Sequence, residues 1–381
     1  MERLYPNLIL DALRTVRYPG NGKNIVELDM VADDIRIDGN RVSFSLVFAK
    51  PTDPFMRSLV KSAEAAIHTR ISPEVEVTVN TVTPQAPAEK APLLPGVKNI
   101  VGVSSGKGGV GKSTIAANLA VALAREGYRV GLVDADIFGP SVPKMFGLED
   151  TELYMHEVDG RQLIIPAERY GVKVLSIGFL VDKDAPVLWR GSMASNALRQ
   201  LIEEADWGEL DYFLIDMPPG TSDIHLTLVQ TLAMTGVVVV TTPQEVALAD
   251  ARKGIAMFQS EKVNVPVLGL VENMAWFTPE KHPEERYYIF GRDGGVRLAE
   301  KLHIKLLAQI PIVGSICDNA DGGTPAALSD SISGHAFIHL AHEVIEAVDE
   351  RNSTLPPTVK VNVTKKLSLI HISEPTRLRC I

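Results

Sequence analysis

The sequence predicts an α/β fold, in which a mostly parallel sheet flanked by helices is preceded by a small α+β domain. From residue 98 onward, short apolar runs alternate with helix-length periodic segments, as in strands that are buried on both faces of a parallel sheet. A shorter N-terminal region has a different order of elements, and a segment with four prolines separates it from the rest. The length of 381 residues also fits two domains, at about 150 residues per domain.

The N-terminal domain is predicted to span residues 1–83 with the order helix, strand, strand, helix, strand. Its predicted elements are a helix over residues 4–14, two strands over residues 35–48 around a turn at Asp38-Gly39-Asn40, a helix opened by Asp53-Pro54, and a strand carrying Val75, Val77 and Val79. The turn has the glycine and asparagine typical of hairpins. Asp53 is the expected N-cap of the second helix, because a short carboxylate can accept hydrogen bonds from free N–H groups there.

The second domain is predicted to span residues 98–351, after an extended proline-rich linker over residues 84–97. Its predicted strands are Ile100–Val103, Val130–Val133, Val172–Ile177, Phe213–Ile215, Val237–Val240 and Val267–Val271. Parallel strands separated by helices are joined by right-handed crossovers. The remaining residues, 352–381, form a tail. We interpret its end, Leu369–Ile381, as cloning or sequencing-derived sequence, because its pattern fits no element.

The composition favours a cytoplasmic protein that binds neither nucleic acid nor membrane. Acidic residues outnumber basic ones by 47 to 38, and the resulting formal charge of −9 argues against both of these partners. The two cysteines of the chain, Cys317 and Cys380, cannot form a disulfide framework, which fits a reducing compartment. The first 20 residues lack the apolar core of a signal peptide.

The strongest motif is a glycine-rich loop between a predicted strand and a predicted helix. It consists of Gly106, Lys107, Gly108, Gly109, Val110, Gly111, Lys112, Ser113 and Thr114. Its glycines allow backbone N–H groups to converge on phosphate at a helix N-terminus. Lys112 is predicted to contact the β- and γ-phosphates of a nucleotide, and the Ser113 hydroxyl to bind Mg²⁺. An ordinary glycine-rich turn is the alternative, but it would not require this strand–loop–helix context.

Three carboxylates are predicted near this loop, at the carboxyl edge of the sheet where ligands bind in such folds. Asp134 and Asp136 follow one strand, and Asp216 ends another just before the turn Pro218-Pro219-Gly220-Thr221. Asp216, with Asp134, is a candidate for holding Mg²⁺ through water, and the turn after it suits a γ-phosphate-sensing switch. The alternative is that these residues only cap their strands.

The second lysine of the loop, Lys107, resembles the one that marks the deviant Walker A motif of ParA, MinD and the nitrogenase iron protein. This resemblance implies a P-loop NTPase fold and an ATP-dependent homodimer, in which Lys107 reaches the nucleotide of the partner. It also implies that Asp136 orients or activates the attacking water. Asn273 would read adenine, with a loop at Pro311-Ile312-Val313 flanking the base. Lys107 could instead serve solubility, and Asn273 could be a turn residue.

Residues 98 to about 350 resemble, more narrowly, the Mrp/ApbC-type iron–sulfur cluster carrier ATPases. The stretches that carry the resemblance are Ser104–Thr114, Asp134–Ser141, Asp216–Thr221, Thr242-Pro243-Gln244 and Glu272-Asn273-Met274. The N-terminal domain resembles the small domain fused to bacterial carriers and found in iron–sulfur assembly factors. The family implies slow ATP hydrolysis, a 4Fe–4S cluster bound between two protomers, and its transfer to apo-proteins. Its implied partners are a second protomer, assembly factors and apo-protein clients.

The chain departs from this family where the cluster ligands are expected. Carriers usually have a C-x-x-C pair in the region of Thr278–Glu285, and this chain has no cysteine there. Asp53 likewise lies about where relatives of the small domain often have a cysteine. Because such clusters are normally held by thiolates, the ligands are left unassigned. Cys317 is solitary, and a solitary cysteine is more often a small buried residue than a ligand, so we expect it to be buried. The residues His282, Glu284 and Glu285 could bind a metal or form a solvated loop.

These observations leave three functional hypotheses. The leading one is a dimeric ATPase that binds and transfers iron–sulfur clusters. The second is an adaptor ATPase of the same pathway that holds no cluster itself, which the missing cysteines favour. The third is a ParA- or MinD-like positioning ATPase that binds DNA or membrane, against which the net acidity argues.

Overall fold

A computed structural model describes most of the chain. The described residues are 4–19, 22–32, 34–48, 53–83, 93–137, 139–158, 160–180, 191–279, 282 and 284–358. Most of the proline-rich segment and the end of the tail, including Cys380, therefore lie outside the described residues. The chain divides into two compact units, Met1–Ala91 and Pro92–Ile381.

The first unit contains the predicted order of elements. These are α1 (Pro6–Leu13), β1 (Arg36–Asp38), β2 (Arg41–Val47), α2 (Met56–Arg70) and β3 (Glu76–Val82). β1 pairs antiparallel with β2, and β2 pairs parallel with β3 through α2. One face of β2, with Val42, Phe44 and Leu46, is buried together with Leu59, Ala63 and Ile67 of α2. The predicted small α+β domain is confirmed.

The expected N-cap of α2 at Asp53 is wrong. The helix begins at Met56, and its N-cap is Phe55. Oδ1 of Asp53 instead accepts a hydrogen bond from the backbone N–H of Phe55, at 2.8 Å. A carboxylate bonded to a backbone N–H two residues later forms an Asx turn, which competes with the helical cap.

The second unit begins with the strand that precedes the glycine-rich loop. Its strands are β4 (Val97–Ser105), β5 (Val130–Asp134), β6 (Met155–Val158), β7 (Arg161–Ile164), β8 (Ala167–Arg169), β9 (Val172–Ser176), β10 (Leu210–Asp216), β11 (Gly236–Thr241), β12 (Val267–Phe277) and β13 (Leu306–Ile312). Its helices are α3 (Lys112–Arg125), α4 (Val142–Met145), α5 (Gly191–Glu203), α6 (Asp223–Thr231), α7 (Glu245–Gln259), α8 (Gly294–Leu302), α9 (Gly314–Asp321) and α10 (Ile332–Thr354).

The main sheet has the order β13-β12-β11-β4-β10-β5-β9-β8 among the described residues. All of its neighbours are parallel except β8, which pairs antiparallel with β9 at one edge. All six predicted strands are present, so the predicted fold class is confirmed. β10 lies between β4 and β5, which brings the carboxyl ends of these three strands together.

Both faces of this sheet are covered. Val101 and Val103 of β4 pack in one apolar cluster with α3 and α10, whereas Phe213 and Ile215 of β10 pack in a second cluster with residues of α5 to α8. Alternate residues of each strand thus enter opposite clusters. This explains why the strands are continuous apolar runs and lack an alternation of polar and apolar residues.

Two features of the C-terminal part differ from the sequence-based expectations. Pro311 and Ile312 lie in β13, and Val313 is the N-cap of α9, so the predicted loop there is wrong. A proline is compatible with β13 because this strand is at the edge of the sheet and pairs on one side only. The last helix continues to Thr354, three residues past the predicted domain end. Within the described part of the chain, no helix is both long and apolar enough to cross a membrane.

Candidate nucleotide-binding site

The glycine-rich loop connects the carboxyl end of β4 to the first turn of α3. Gly111, the residue before the helix, has φ +81°, a left-handed conformation that favours glycine. A Cβ at Gly111 would also overlap Nδ2 of Asn273. At the other end of the loop, a Cβ at Gly106 would overlap the carbonyl carbon of Asp250 in α7. The loop is therefore fixed by backbone conformation at one end and by close packing at the other.

Lys112 lies at the centre of the site. Its Nζ is 2.5 Å from Oδ1 of Asp216, 3.9 Å from Oδ2 of Asp136 and 3.2 Å from Oγ of Ser113. The Lys112 side chain is 6% exposed and that of Asp216 is fully buried. Burial raises the pKa of Asp216, and the Lys112 ammonium opposes this shift. The contacts of Lys112 bring together four residues that the sequence predicted for this site.

One carboxylate oxygen of Asp216 has no hydrogen-bond partner among the described residues. Its Oδ1 contacts Lys112, whereas its Oδ2 is buried and has no hydrogen-bond partner among the described residues. A buried acceptor without a partner is costly, so such an atom often marks a position that a ligand or ion completes. With Oγ of Ser113 close to the same ammonium, oxygen donors suited to hydrated Mg²⁺ converge here.

Asp134 has a different environment, although it is also fully buried. Its oxygens accept hydrogen bonds from the backbone N–H groups of Asp136, Ser141 and Val142 and from the hydroxyl of Ser176, at 3.1 to 3.2 Å. Burial, together with the charge of Asp216, raises the pKa of Asp134 to about 7. Four donors use the acceptor positions that a carboxylate offers. Asp134 therefore anchors the loop after β5, and a role in holding Mg²⁺ through water stays a prediction.

Asp136 lies at the mouth of the site, 17% exposed, with its carboxylate facing Lys112. Asn273 lies within β12, and its side chain reaches the glycine-rich loop. Its Nδ2 donates to the carbonyl of Val110 at 2.8 Å. Asn273 thus ties β12 to the glycine-rich loop in this structure, and the predicted contact of its amide with adenine is not tested by it.

Lys107 follows β4 by two residues. Its carbonyl accepts a hydrogen bond from the Ser105 hydroxyl at 2.9 Å, which orients the start of the loop. Among the described residues, we find no ion pair of the Lys107 ammonium. This differs from Lys112, whose charge is balanced by carboxylates of the same chain.

His225 belongs to the site and was not predicted from the sequence. It lies in the first turn of α6, nine positions after Asp216, and is fully buried. Its Nδ1 accepts a hydrogen bond from the backbone N–H of Ser222 at 3.1 Å. Burial lowers the pKa of His225 to about 4, and the Lys112 ammonium contributes in the same direction. No sequence motif marks a histidine at this position of a helix. His225 is identified as a site residue only by its burial near Lys112 in the structure.

Three residues of the segment where carriers have their cysteine pair are exposed side chains that could bind a metal. His282, Glu284 and Glu285 have ligand atoms within 4.8 Å of one another, and all three are exposed. The hydroxyl of Tyr287 donates to Glu285 at 2.6 Å. Cys317, the free cysteine of the described residues, is exposed on α9. The expectation that Cys317 is buried is therefore wrong, and the described residues contain no pair of thiolates.

Comparisons with known proteins agree with this arrangement. Residues 96–345 match the family described as NUBPL iron-transfer P-loop NTPase, and residues 7–80 match the family described as iron–sulfur cluster assembly protein. Two relatives are named iron–sulfur cluster carrier protein. The one from Synechocystis is 43% identical over 345 residues, which are 90% of this chain and 97% of the relative. The one from Aquifex aeolicus is 40% identical over 373 residues, with coverages of 90% and 98%.

A solved structure is also similar. It is a nucleotide-binding protein from Archaeoglobus fulgidus in complex with ADP, and it is 39% identical to this chain. The similarity covers 62% of this chain and 91% of the other, with a TM-score of 0.53. The glycine-rich loop, the parallel sheet and these relatives lead to one assignment: the chain belongs to the family of NUBPL-type iron-transfer P-loop NTPases.

Proposed function

We propose that this chain binds ATP with Mg²⁺ at residues 106–114 and hydrolyses the nucleotide. The observation that carries the proposal is the buried pair of Lys112, at the start of α3, and Asp216, at the end of β10. Oδ2 of Asp216 has no partner among the described residues. The similar archaeal protein in complex with ADP supports a nucleotide as the ligand. The backbone N–H groups of the loop and the helix N-terminus favour the phosphate charge.

The Lys112 ammonium has two alternative partners in this proposal. In this structure it pairs with Asp216, and with ATP bound it contacts the phosphates. The Ser113 hydroxyl, and Asp216 through water, would hold the Mg²⁺ ion. Mg²⁺ supplies neutralisation of the phosphate charge. Asp136, at the mouth of the site, orients the attacking water. Catalysis is then mainly positioning and charge stabilisation.

We also propose that two protomers close on the nucleotides, each with Lys107 directed at the nucleotide of its partner. Lys112 is neutralised by carboxylates of its own chain, whereas Lys107 has no ion pair among the described residues. This difference supports the arrangement, because the Lys107 ammonium can then pair with a phosphate bound to the partner. Hydrolysis would remove the γ-phosphate that both lysines share and would let the dimer reopen.

The cargo that we propose is an iron–sulfur cluster, delivered to apo-proteins in the cytoplasm in cooperation with assembly factors. Two relatives that align over 90% of this chain are named as cluster carriers. The match of residues 7–80 to an iron–sulfur assembly family supports the same pathway. The negative charge and the family membership favour neither DNA nor membrane as a partner.

A second candidate function is an adaptor ATPase that brings assembly partners together and holds no cluster. The specific observation is the cysteine content: Cys317 and Cys380 are the cysteines of the chain, and neither belongs to a C-x-x-C pair. Bridging clusters are normally held by two thiolates from each protomer. Cys317 is exposed, so its sulfur is accessible to a cluster. An experiment that measures cluster binding can therefore separate the carrier from the adaptor.

Anaerobic reconstitution of the full chain with ferrous iron and sulfide tests both candidates. We expect a carrier to retain iron and sulfide in equal amounts per dimer, to show charge-transfer absorbance, and to activate an apo-protein faster with ATP. The Lys112→Ala protein should keep the cluster but lose the ATP effect, whereas Cys317→Ala should lose the cluster. A wild-type protein that hydrolyses ATP but retains no iron would support the adaptor and refute the carrier.

A further inference from the structure

We propose that His225 is a positioning residue for ATP hydrolysis: a neutral imidazole that braces the switch loop, defined here as residues 216–222. This inference rests on the proposed ATPase function and deepens it. The switch loop begins at Asp216 and ends at Ser222, the N-cap of α6. His225 occupies the third position of that helix, where its side chain can turn back to the start of the helix.

The hydrogen bonds of His225 define its tautomer. The backbone N–H of Ser222 donates to Nδ1 at 3.1 Å, so Nδ1 carries a lone pair and no proton. A neutral ring then has its proton on Nε2. A second proton on Nδ1 would confront the N–H of Ser222, and it would add a positive charge near Lys112 in a buried place. The surroundings therefore favour one neutral form of the ring.

The Nε2–H group faces the beginning of the switch loop. Nε2 is buried and makes no hydrogen bond of normal geometry with any described residue, although the carbonyl of Pro218 interacts with the ring. A buried donor without a partner is unfavourable. A small movement of Pro218 toward the ring would complete this bond. The arrangement of the described residues thus leaves unused a contact that a second position of the loop can make.

The rest of the switch loop is attached to β4. The N–H of Met217 donates to the carbonyl of Val103 at 3.0 Å, and the N–H of Gly220 donates to the carbonyl of Ser105 at 2.9 Å. His225 is hydrogen-bonded to the end of the loop at Ser222, and its ring lies near Pro218. When phosphate draws Lys112 away from Asp216, the loop loses its strongest ionic contact and can shift. We infer that the bond from Nε2 to Pro218 forms in the ATP-bound state and holds Asp216 in place for hydrolysis.

Steady-state kinetics of the full-length protein test this role. In His225→Gln, the side-chain oxygen can accept from Ser222 and the NH₂ group can donate to Pro218, as at the third position of a capping box. His225→Leu removes both functions. We expect the leucine variant to lose about tenfold in kcat with KM for ATP changed less than about threefold, because the lost bond acts after binding. The glutamine variant should recover most of this loss.

A matched control and a second readout separate positioning from folding. His335→Gln changes an exposed histidine of α10 and should leave kcat unchanged. Nitrogen NMR of ¹⁵N-histidine protein at pH 7, assigned with His225→Gln, should show a neutral ring protonated at Nε2. A non-hydrolysable ATP analogue should move the Nε2–H proton signal downfield, as a new hydrogen bond does, whereas ADP should not.

The outcomes distinguish this inference from the proposed function. A wild-type protein without ATPase activity refutes the proposed function. An active wild type combined with a fully active leucine variant refutes the role of His225 alone. A charged ring, a proton on Nδ1, or a glutamine variant as impaired as the leucine variant would also overturn it.

Discussion

At the scale of single residues, the central feature of the site is a pair of buried, opposite charges on Lys112 and Asp216. Lys112 and Asp216 neutralise each other at 2.5 Å, and neither has appreciable exposure. Removing one member of such a pair leaves an uncompensated buried charge, which costs about 3–5 kcal/mol. The same ammonium is the group proposed to bind phosphate. Substitution of Lys112 therefore tests both the stability of the folded protein and its affinity for nucleotide.

Lys112→Ala should abolish binding of ATP and ADP, because the loop loses the cation that contacts the phosphates. Isothermal titration calorimetry with ATP and Mg²⁺ measures this directly. Because Asp216 is then buried without its cation, the urea midpoint should also fall. Lys253→Ala, which removes an exposed lysine of α7, is the control and should bind like the wild type. Retained ATP affinity in Lys112→Ala would refute the site.

His225 should make the stability of the protein depend on pH. Its folded pKa of about 4 lies below the usual 6.5, so the unfolded chain binds more protons between these values. The stability that the neutral ring contributes is complete above pH 6.5 and is lost as the pH falls toward 4. Between pH 7.5 and 5 the loss is about 2 kcal/mol.

Urea unfolding at these two pH values, monitored by tryptophan fluorescence, measures this loss. His225→Gln cannot titrate, so the difference in unfolding free energy between wild type and this variant should decrease by about 2 kcal/mol at pH 5. The difference removes contributions from other groups, including Asp134, whose raised pKa acts in the opposite direction. A difference that does not change with pH would show that the ring is not buried in its neutral form.

At the scale of elements, α7 and β12 pack directly against the glycine-rich loop. Gly106 approaches the backbone of α7, and Gly111 approaches the Asn273 side chain from β12. Neither contact can be inferred from the loop motif alone, since both depend on elements more than 100 residues away. The sequence predicted glycines for phosphate access, and the structure adds close packing as a second requirement.

Gly106→Ala and Gly254→Ala should change stability in opposite directions. The new Cβ at residue 106 would meet the α7 backbone, which cannot move aside cheaply, so we expect a loss of about 1–3 kcal/mol. Gly254 lies within α7 itself, and a methyl group added there would have no atom within 4 Å. Alanine at this position should add about 0.5–1 kcal/mol through helix propensity. Urea midpoints of the two variants measure both effects, and equal shifts would contradict the packing argument.

At the scale of the whole molecule, the proposed mechanism requires two protomers. The carboxyl ends of β4, β10 and β5 gather one lysine and three carboxylates from a single chain. Lys107, the other lysine of the loop, has no ion pair among the described residues of that chain. A dimer in which it reaches the partner's nucleotide would explain why the loop needs a second lysine.

Lys107→Ala should leave ATP affinity within about threefold of the wild type but lower kcat at least about tenfold, because the lost contact belongs to the closed dimer. Titration calorimetry and phosphate release separate the two quantities. Mixing this variant with Lys112→Ala should not restore full activity, since each mixed dimer keeps at most one complete site. Unchanged turnover in Lys107→Ala would count against the role across the dimer.

The sequence by itself determined the fold class and the position of the glycine-rich loop between a strand and a helix. The six apolar runs and the glycine-rich motif from Gly106 to Thr114 are local patterns. Such patterns can be recognised in the sequence without knowledge of the tertiary contacts. The order of elements in the small domain was also readable, since its strands and helices are short and periodic. The strand β13 was missed because the family resemblance suggested a loop at Pro311-Ile312-Val313; a proline is compatible with the strand at this edge of the sheet.

Only the tertiary structure decided what the individual side chains do. Asp134 and Asp216 end neighbouring strands and look alike in sequence, yet one is saturated by four donors and the other keeps a free oxygen among the described residues. His225 became part of the site only through its burial near Lys112. Hydrogen bonding and desolvation depend on groups that are distant along the chain, so they are set when the strands and helices pack together.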